Sequence, residues 1–204
     1  MMLAQGIGFF GGVSIPDNNV GDVFPSRVPE TGSEIKDLIE QGLSVGYHAQ
    51  LRYWLRLSDE IQFTATGGLH RFPDLTTALL DPMGNQIGEL RTVLNIVPVG
   101  FGVEYTIFRK ILGIFVYAEA LYTYTFTNTE IALDIEGAPP VLPIDTEPTY
   151  NRVGAGGGIG VDLNAKLFII DVRLGVWASN LIGRSSDEPV KSIVSLSAGL
   201  AFGK

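Results

Sequence analysis

Five charged side chains stand in segments that are otherwise apolar or small. Arg52, Glu104, Glu119, Asp171 and Arg173 each fall on the phase of an alternating stretch opposite to its hydrocarbon residues. Charges so placed must find partners, because an isolated buried charge costs far more than a paired one. Glu104 and Glu119 flank the turn near Lys110 and are expected as close cross-strand neighbours that repel unless an Arg intervenes. The chemistry expected of the five is an ion-pair network built on Arg52 and Arg173.

His48 and His70 form the second group. They share the same inward phase and pair across the turn near Asp59. Adjacent imidazoles could bind a metal or respond to pH. With no Cys in the chain and no carboxylate at that height, two ligands make a weak site. The plain reading is a histidine pair bonded to its neighbours, with no metal or cofactor. A hydrolase would need Ser and His together, but Ser44 and His48 lie about 13 Å apart on an extended strand, too far for proton transfer. The run Gly154-Ala155-Gly156-Gly157-Gly158-Ile159-Gly160 lies within a strand and opens no helix, so it is not a nucleotide loop. It leaves room for bulky neighbours such as Trp177. No catalysis is expected.

The elements that must position these residues are strands. In the hairpin from Arg152 to Ala178, Val153, Ala155, Ile159, Val161 and Leu163 alternate with glycines and Asp162. After the Asn164-Ala165-Lys166 turn, Phe168, Ile170, Val172, Leu174 and Val176 alternate with Asp171, Arg173, Gly175 and Trp177. Period two marks β-structure, and arms of this length match the roughly 9–11 residues a tilted strand needs to cross a bilayer. Similar segments are expected over Gly6–Ile15, Gly42–Arg56, Ile61–His70, Thr92–Phe108, Leu112–Phe126 and Ser192–Phe202. Pro98 cannot donate to a ladder, so a bulge or an irregular upper end is expected there.

Between the strands, short turns alternate with long connections over Pro16–Gln41, Phe72–Glu89, Thr127–Asn151 and Ser179–Lys191. The first holds a helical candidate, Ser33–Gln41, preceded by a capping-box pattern at Thr31 and Glu34. It reads as a loop helix on a barrel rim or as a partner-binding helix. Thr127–Asn151 is acidic, which disfavours direct contact with anionic lipopolysaccharide; a solvated surface is its plain reading, calcium bridging or a basic partner the sharper ones.

The totals agree with one barrel occupying residues 1–204. Mean hydropathy is +0.25, yet no run of about 18 apolar residues exists to form a spanning helix. A membrane protein without such helices must be a closed barrel, since unpaired backbone groups are intolerable in lipid. A net charge of −8 argues against nucleic acid. Met1-Met2-Leu3-Ala4-Gln5 is either the tail of a trimmed export signal or a native start. A soluble lipocalin-like barrel would turn its apolar face inward and cover the outside with charge. Here the less apolar face is mostly Gly, Ser and Thr, which suits a narrow lumen.

Eight strands, the long–short rhythm and aromatic strand ends (Tyr53, Tyr105, Phe108, Tyr122, Tyr124, Phe126, Phe168, Phe202) together resemble the small outer-membrane barrels of the OmpA, OmpX and OmpW type. The resemblance implies an all-β, eight-stranded antiparallel up-and-down transmembrane barrel with long extracellular loops and short periplasmic turns. It implies residence in the bacterial outer membrane as a monomer, with lipid around it and with periplasmic chaperones and the barrel-assembly machinery as biogenesis partners. The last strand, with Leu196, Leu200 and Phe202 on one face, resembles the assembly signal, although Gly203 and Lys204 follow it. The function implied is a structural or surface-interaction role with a largely plugged lumen; the alternative is an OmpW-like conduit for small or apolar solutes. Within that resemblance the five charged residues are a plug, or a gate that opens when their pairs rearrange.

Overall fold

The computed structural model describes residues 5–17, 45–80, 83, 86–109, 111–133, 142–144, 150–165, 167–184, 186 and 189–203. Its strands are β1 (Gln5–Pro16), β2 (Gly46–Arg56), β3 (Ile61–Leu80), β4 (Gln86–Arg109), β5 (Leu112–Leu133), β6 (Leu142–Ile144), β7 (Tyr150–Asn164), β8 (Ile169–Ile182) and β9 (Ser192–Phe202). The order β4-β3-β2-β1-β9-β8-β7-β5 is closed by a β4–β5 pairing, and every ladder is antiparallel. This is an eight-stranded antiparallel barrel, with the short β6 folded back on the far end of β5 at Thr129–Ile131.

Closure leaves the eight barrel strands no open edge over their shared length, and the pleat then decides sidedness. On β8, Val172, Leu174 and Val176 are 40%, 48% and 53% exposed, whereas Arg173 is 2% exposed. The same alternation runs around the wall: Phe9, Leu51, Phe101, Ile159 and Leu196 look outward. No helix among the described residues is long and apolar enough to cross a membrane, which is silent about strands. A continuous apolar exterior over a polar, small-residue interior is the arrangement of a barrel solvated by lipid.

Two connections differ from the sequence expectation. Most of Phe72–Glu89 is not a loop: β3 continues to Leu80 and β4 begins at Gln86. Likewise β5 runs on to Leu133, into the stretch read as a Pro-rich loop. The β3–β4 ladder carries register shifts between Phe72 and Leu75 and between Leu79 and Leu80, so pairing continues past His70 without one unbroken register. Pro98 causes no register shift either. It faces Thr123 in a regular β4–β5 ladder, while the β3 ladder lapses between Gly67↔Val99 and His70↔Ile96 and resumes in the same register. Pro lacks a donor, and the bonds on either side hold the register without it. The expected bulge is therefore absent at Pro98 and the irregularity there is the lapse of the β3 ladder; the register shifts of β4 lie elsewhere, opposite Phe72/Leu75 and Leu79/Leu80 and between Thr106 and Phe108. Gly42–Ser44, the Ser33–Gln41 helical candidate and most of Pro16–Gln41 fall outside the described residues.

At the end away from the short turns, β8 and β9 are joined through Gly183, whose φ of 90° suits a residue without Cβ. Asn180 fastens this junction, donating from Nδ2 to the Pro189 carbonyl at 2.9 Å and accepting from the Lys191 amide at 2.8 Å. Asp17 ties β1 alongside, its amide bonding the Ser192 carbonyl and its carboxylate the Ser192 amide.

Candidate functional site

An eight-stranded barrel has an interior about as wide as its side chains, so the candidate site is what fills that interior. Large inward residues come from β1, β2, β5 and β8, and glycines come from β7 and β4. Gly160 lies under the Phe115 ring, Gly156 against Trp177 and Gly158 beside the Tyr117 hydroxyl, so a Cβ at any of them would collide. The inward glycines of β7 are thus the wall against which β5 and β8 pack their rings.

The filling is layered. Near the short turns, Phe10, Trp54 and Ala201 form an apolar cluster with Ile169 against it. Towards the other end, Phe72, Leu94, Ile96, Leu121, Trp177 and Ile193 form a second. The polar site residues named from the sequence interleave with these clusters: Arg173 and Glu104 meet Trp54 of the first, and the His70 ring packs edge-on against Trp177 of the second.

Arg173 is the hub. It donates from Nε to Asp171 Oδ1 at 2.8 Å and from Nη2 to Asp171 Oδ2, and Nη2 also reaches Glu104 Oε2 at 2.9 Å. Asp171 and Glu104 are fully buried, and Glu104 also accepts from Trp54 Nε1 at 3.2 Å. The guanidinium carbon sits 4.4 Å from the Phe115 ring centre, 5.3 Å from Phe10, 5.4 Å from Tyr117 and 5.5 Å from Trp54. Two carboxylates and an aromatic cage compensate a charge that is otherwise expensive to bury.

Arg52 is held more loosely. Its Nη2 lies 3.4 Å from Glu119 Oε2, to which Thr66 Oγ1 also donates at 3.4 Å. The two glutamates are not directly opposed: Glu104 faces Tyr117 and Glu119 faces Gly102. Each carboxylate takes a different arginine, and the Tyr117 ring lies within 5.2 Å of the Arg52 guanidinium carbon and 5.4 Å of that of Arg173. The arrangement is two ion-paired groups joined through one aromatic ring.

His48 faces His70 in the β2–β3 register, and their rings stack with centres 4.7 Å apart. Both Nδ1 atoms converge on Ser14 Oγ, at 2.9 Å and 2.8 Å. His48 Nε2 contacts Ser197 Oγ at 2.8 Å, and His70 Nε2 contacts Gln50 Nε2 at 3.1 Å. This five-member chain crosses four strands. Among the described residues no group of three or more metal-binding side chains occurs. The rings are 3% and 0% exposed, so a bulky substrate has no approach to these Ser–His contacts.

Sequence reasoning missed several occupants. Phe10, next to outward Phe9, and Phe115 and Leu121, on the inward phase of β5, were recoverable from parity. Ser14 and Ser197 had no local signal, because their histidine partners lie 34, 56 and 149 residues away. Leu196, Leu200 and Phe202 look outward, each nearly half exposed.

Closed strand order, apolar exterior and filled interior define the class: an eight-stranded β-barrel of outer-membrane type. No protein-family model matches the chain, and no curated protein matches it in sequence. Among solved structures, it aligns with neisserial surface protein A over 98% of this chain and 97% of that one, with a TM-score of 0.51 and 13% identity. Ail of Yersinia pestis, crystallised with the heparin analogue sucrose octasulfate, aligns over 99% and 100% with a TM-score of 0.47 and 11% identity. The N-terminal β-barrel domain of Pseudomonas aeruginosa OprF aligns over 98% and 100% with a TM-score of 0.44 and 9% identity. The first of these supports the fold; at such identities none speaks to function.

Proposed function

We propose that this chain is an integral protein of the bacterial outer membrane with a structural or surface-interaction role, and that its lumen is closed to solutes. The observation that carries this reading is Arg173, fixed by Asp171 and Glu104 inside a ring of Phe10, Trp54, Phe115 and Tyr117. That ring, which includes the apolar cluster of Phe10 and Trp54, and the second cluster around Leu121 and Trp177 leave a conduit little room, which weighs against the OmpW-like alternative. The outward Leu196, Leu200 and Phe202 suit a terminal strand read by the assembly machinery, and a lipid-facing wall all round suits a monomer. Planar-bilayer recording of the refolded protein tests the reading. Membranes holding inserted protein should show no steady unitary current; a stable open level would establish a conduit instead. The gate version predicts that Glu119→Ala changes whatever conductance is seen.

A further inference from the structure

The three short turns at one end of the barrel each raise an apolar side chain clear of the protein. Leu57 between β2 and β3 is 51% exposed, Ile111 between β4 and β5 75%, and Leu167 between β7 and β8 86%. Turns that meet water favour Gly, Pro, Asn, Asp and Ser. One exposed leucine would be ordinary; one such residue at every turn of the same rim calls for a common cause.

Backbone bonds fix these tips in place. The Leu57 amide donates to the Ile61 carbonyl at 3.0 Å, and the Leu167 amide to the Ala165 carbonyl at 2.9 Å. The Ile111 carbonyl accepts from the Asn164 amide at 2.9 Å. The tips also continue the apolar exterior: Leu57 is bonded to outward Ile61, Ile111 adjoins outward Leu112, and Leu167 stands three residues before outward Ile170. Three residues of strand span about 10 Å, and a tilt of roughly 35–45° shortens this to about 8 Å along the barrel axis. The headgroup layer adds about 5–8 Å beyond the hydrocarbon on each side. The tips therefore lie within that layer or at its edge.

Charge fits the same surroundings. In the sequence these turns carry Arg56, Arg109, Lys110 and Lys166 against Asp59 and Glu60, in a chain of net charge −8. Lys and Arg can lay their stems along an apolar boundary while their charged ends meet phosphates.

We propose that the short-turn rim is a lipid-docking surface, with Leu57, Ile111 and Leu167 seated in the headgroup layer of a phospholipid leaflet. This rests on the outer-membrane reading and adds to it that the barrel is held by its turns as well as by its wall. Apolar tips on three separate turns resist sinking or tilting of the barrel, and so fix its depth.

The test uses the full chain, which has no Cys, folded into vesicles of phosphatidylethanolamine and phosphatidylglycerol. Leu57→Cys, Ile111→Cys and Leu167→Cys each carry a spin label, with an aqueous nickel relaxant on both sides of the membrane. Leu174→Cys on the wall is the lipid reference, and Met83→Cys, at a position 89% exposed at the far end, is the water reference. The ratio of relaxation by oxygen to relaxation by nickel at all three tips should be several-fold above that at Met83, approaching that at Leu174. A ratio equal to that at Met83 at any of the tips would overturn the proposal. Tips shielded only after a periplasmic protein fraction is added would overturn it in favour of a protein partner. If Leu174 itself is open to nickel, the outer-membrane reading fails; if Leu174 is shielded and the tips are open, only the docking surface fails. Each label replaces an exposed side chain, so a variant that does not fold leaves two turns to decide the matter.

Discussion

Arg173 on β8 and Glu104 on β4 meet across the barrel at 2.9 Å, joining strands that share no ladder. Removing one member of such a buried pair strands the other's charge, which typically costs about 3–5 kcal/mol. Arg173→Met should therefore lower the urea midpoint of the lipid-folded protein by that order. The double variant Arg173→Met/Glu104→Met should recover part of the loss, and a loss equal to the sum of the single effects would show that the pair is not coupled.

The glycine wall predicts a contrast between two alanines. At Gly158 a Cβ meets the carbonyl oxygen of Leu174 on the adjoining strand, so β7 and β8 must separate. At Gly67 an added Cβ meets nothing within 4 Å. Gly158→Ala should cost about 1–3 kcal/mol and Gly67→Ala close to none, measured by the same unfolding titration. Equal effects would mean that the close approach of β7 to β8 is not a constraint.

Ser14 has one hydroxyl proton and two imidazole partners. It donates to one Nδ1 and accepts from the other, so His48 and His70 must hold opposite Nδ1 protonation. Nitrogen-15 spectra of the folded protein should show one Nδ1–H and one bare Nδ1. Two rings in the same state would break the hydrogen-bond chain as described. Ser14→Ala should cost about 1–3 kcal/mol by leaving an imidazole nitrogen unpaired.

On the exterior the sign of a substitution should follow the pleat. Leu174 is 48% exposed between two outward valines. Leu174→Arg places a guanidinium in the hydrocarbon, with a cost of about 2–4 kcal/mol near the midplane. The measurement is unfolding from lipid vesicles; a neutral result would mean that this face does not meet lipid.

The fold was legible where alternation is strict. The last strand and the Arg152–Ala178 hairpin follow directly from period two, and parity places Arg52, Glu104, Glu119, Asp171 and Arg173 inside. Legibility failed where the register breaks, because the shift after Phe72 hides the continuation of β3; parity did set Phe9 outward on β1, which leaves Phe10 inward. The partners of the site residues were beyond reach for a different reason. Which inward residues meet depends on the stagger between strands all the way round the barrel, and that follows from closure, not from any local segment. Ser14 therefore carries no sign that it will lie beneath two histidines.

The chain has no Cys, so single cysteines can carry spin labels along β8 from Ile170 to Val176. In lipid vesicles, labels at Val172, Leu174 and Val176 should be reached by dissolved oxygen and shielded from aqueous relaxant, while those at Asp171, Arg173 and Gly175 should be shielded from both. Accessibility of opposite phase, or without a period of two, would contradict an apolar wall facing lipid around a filled lumen.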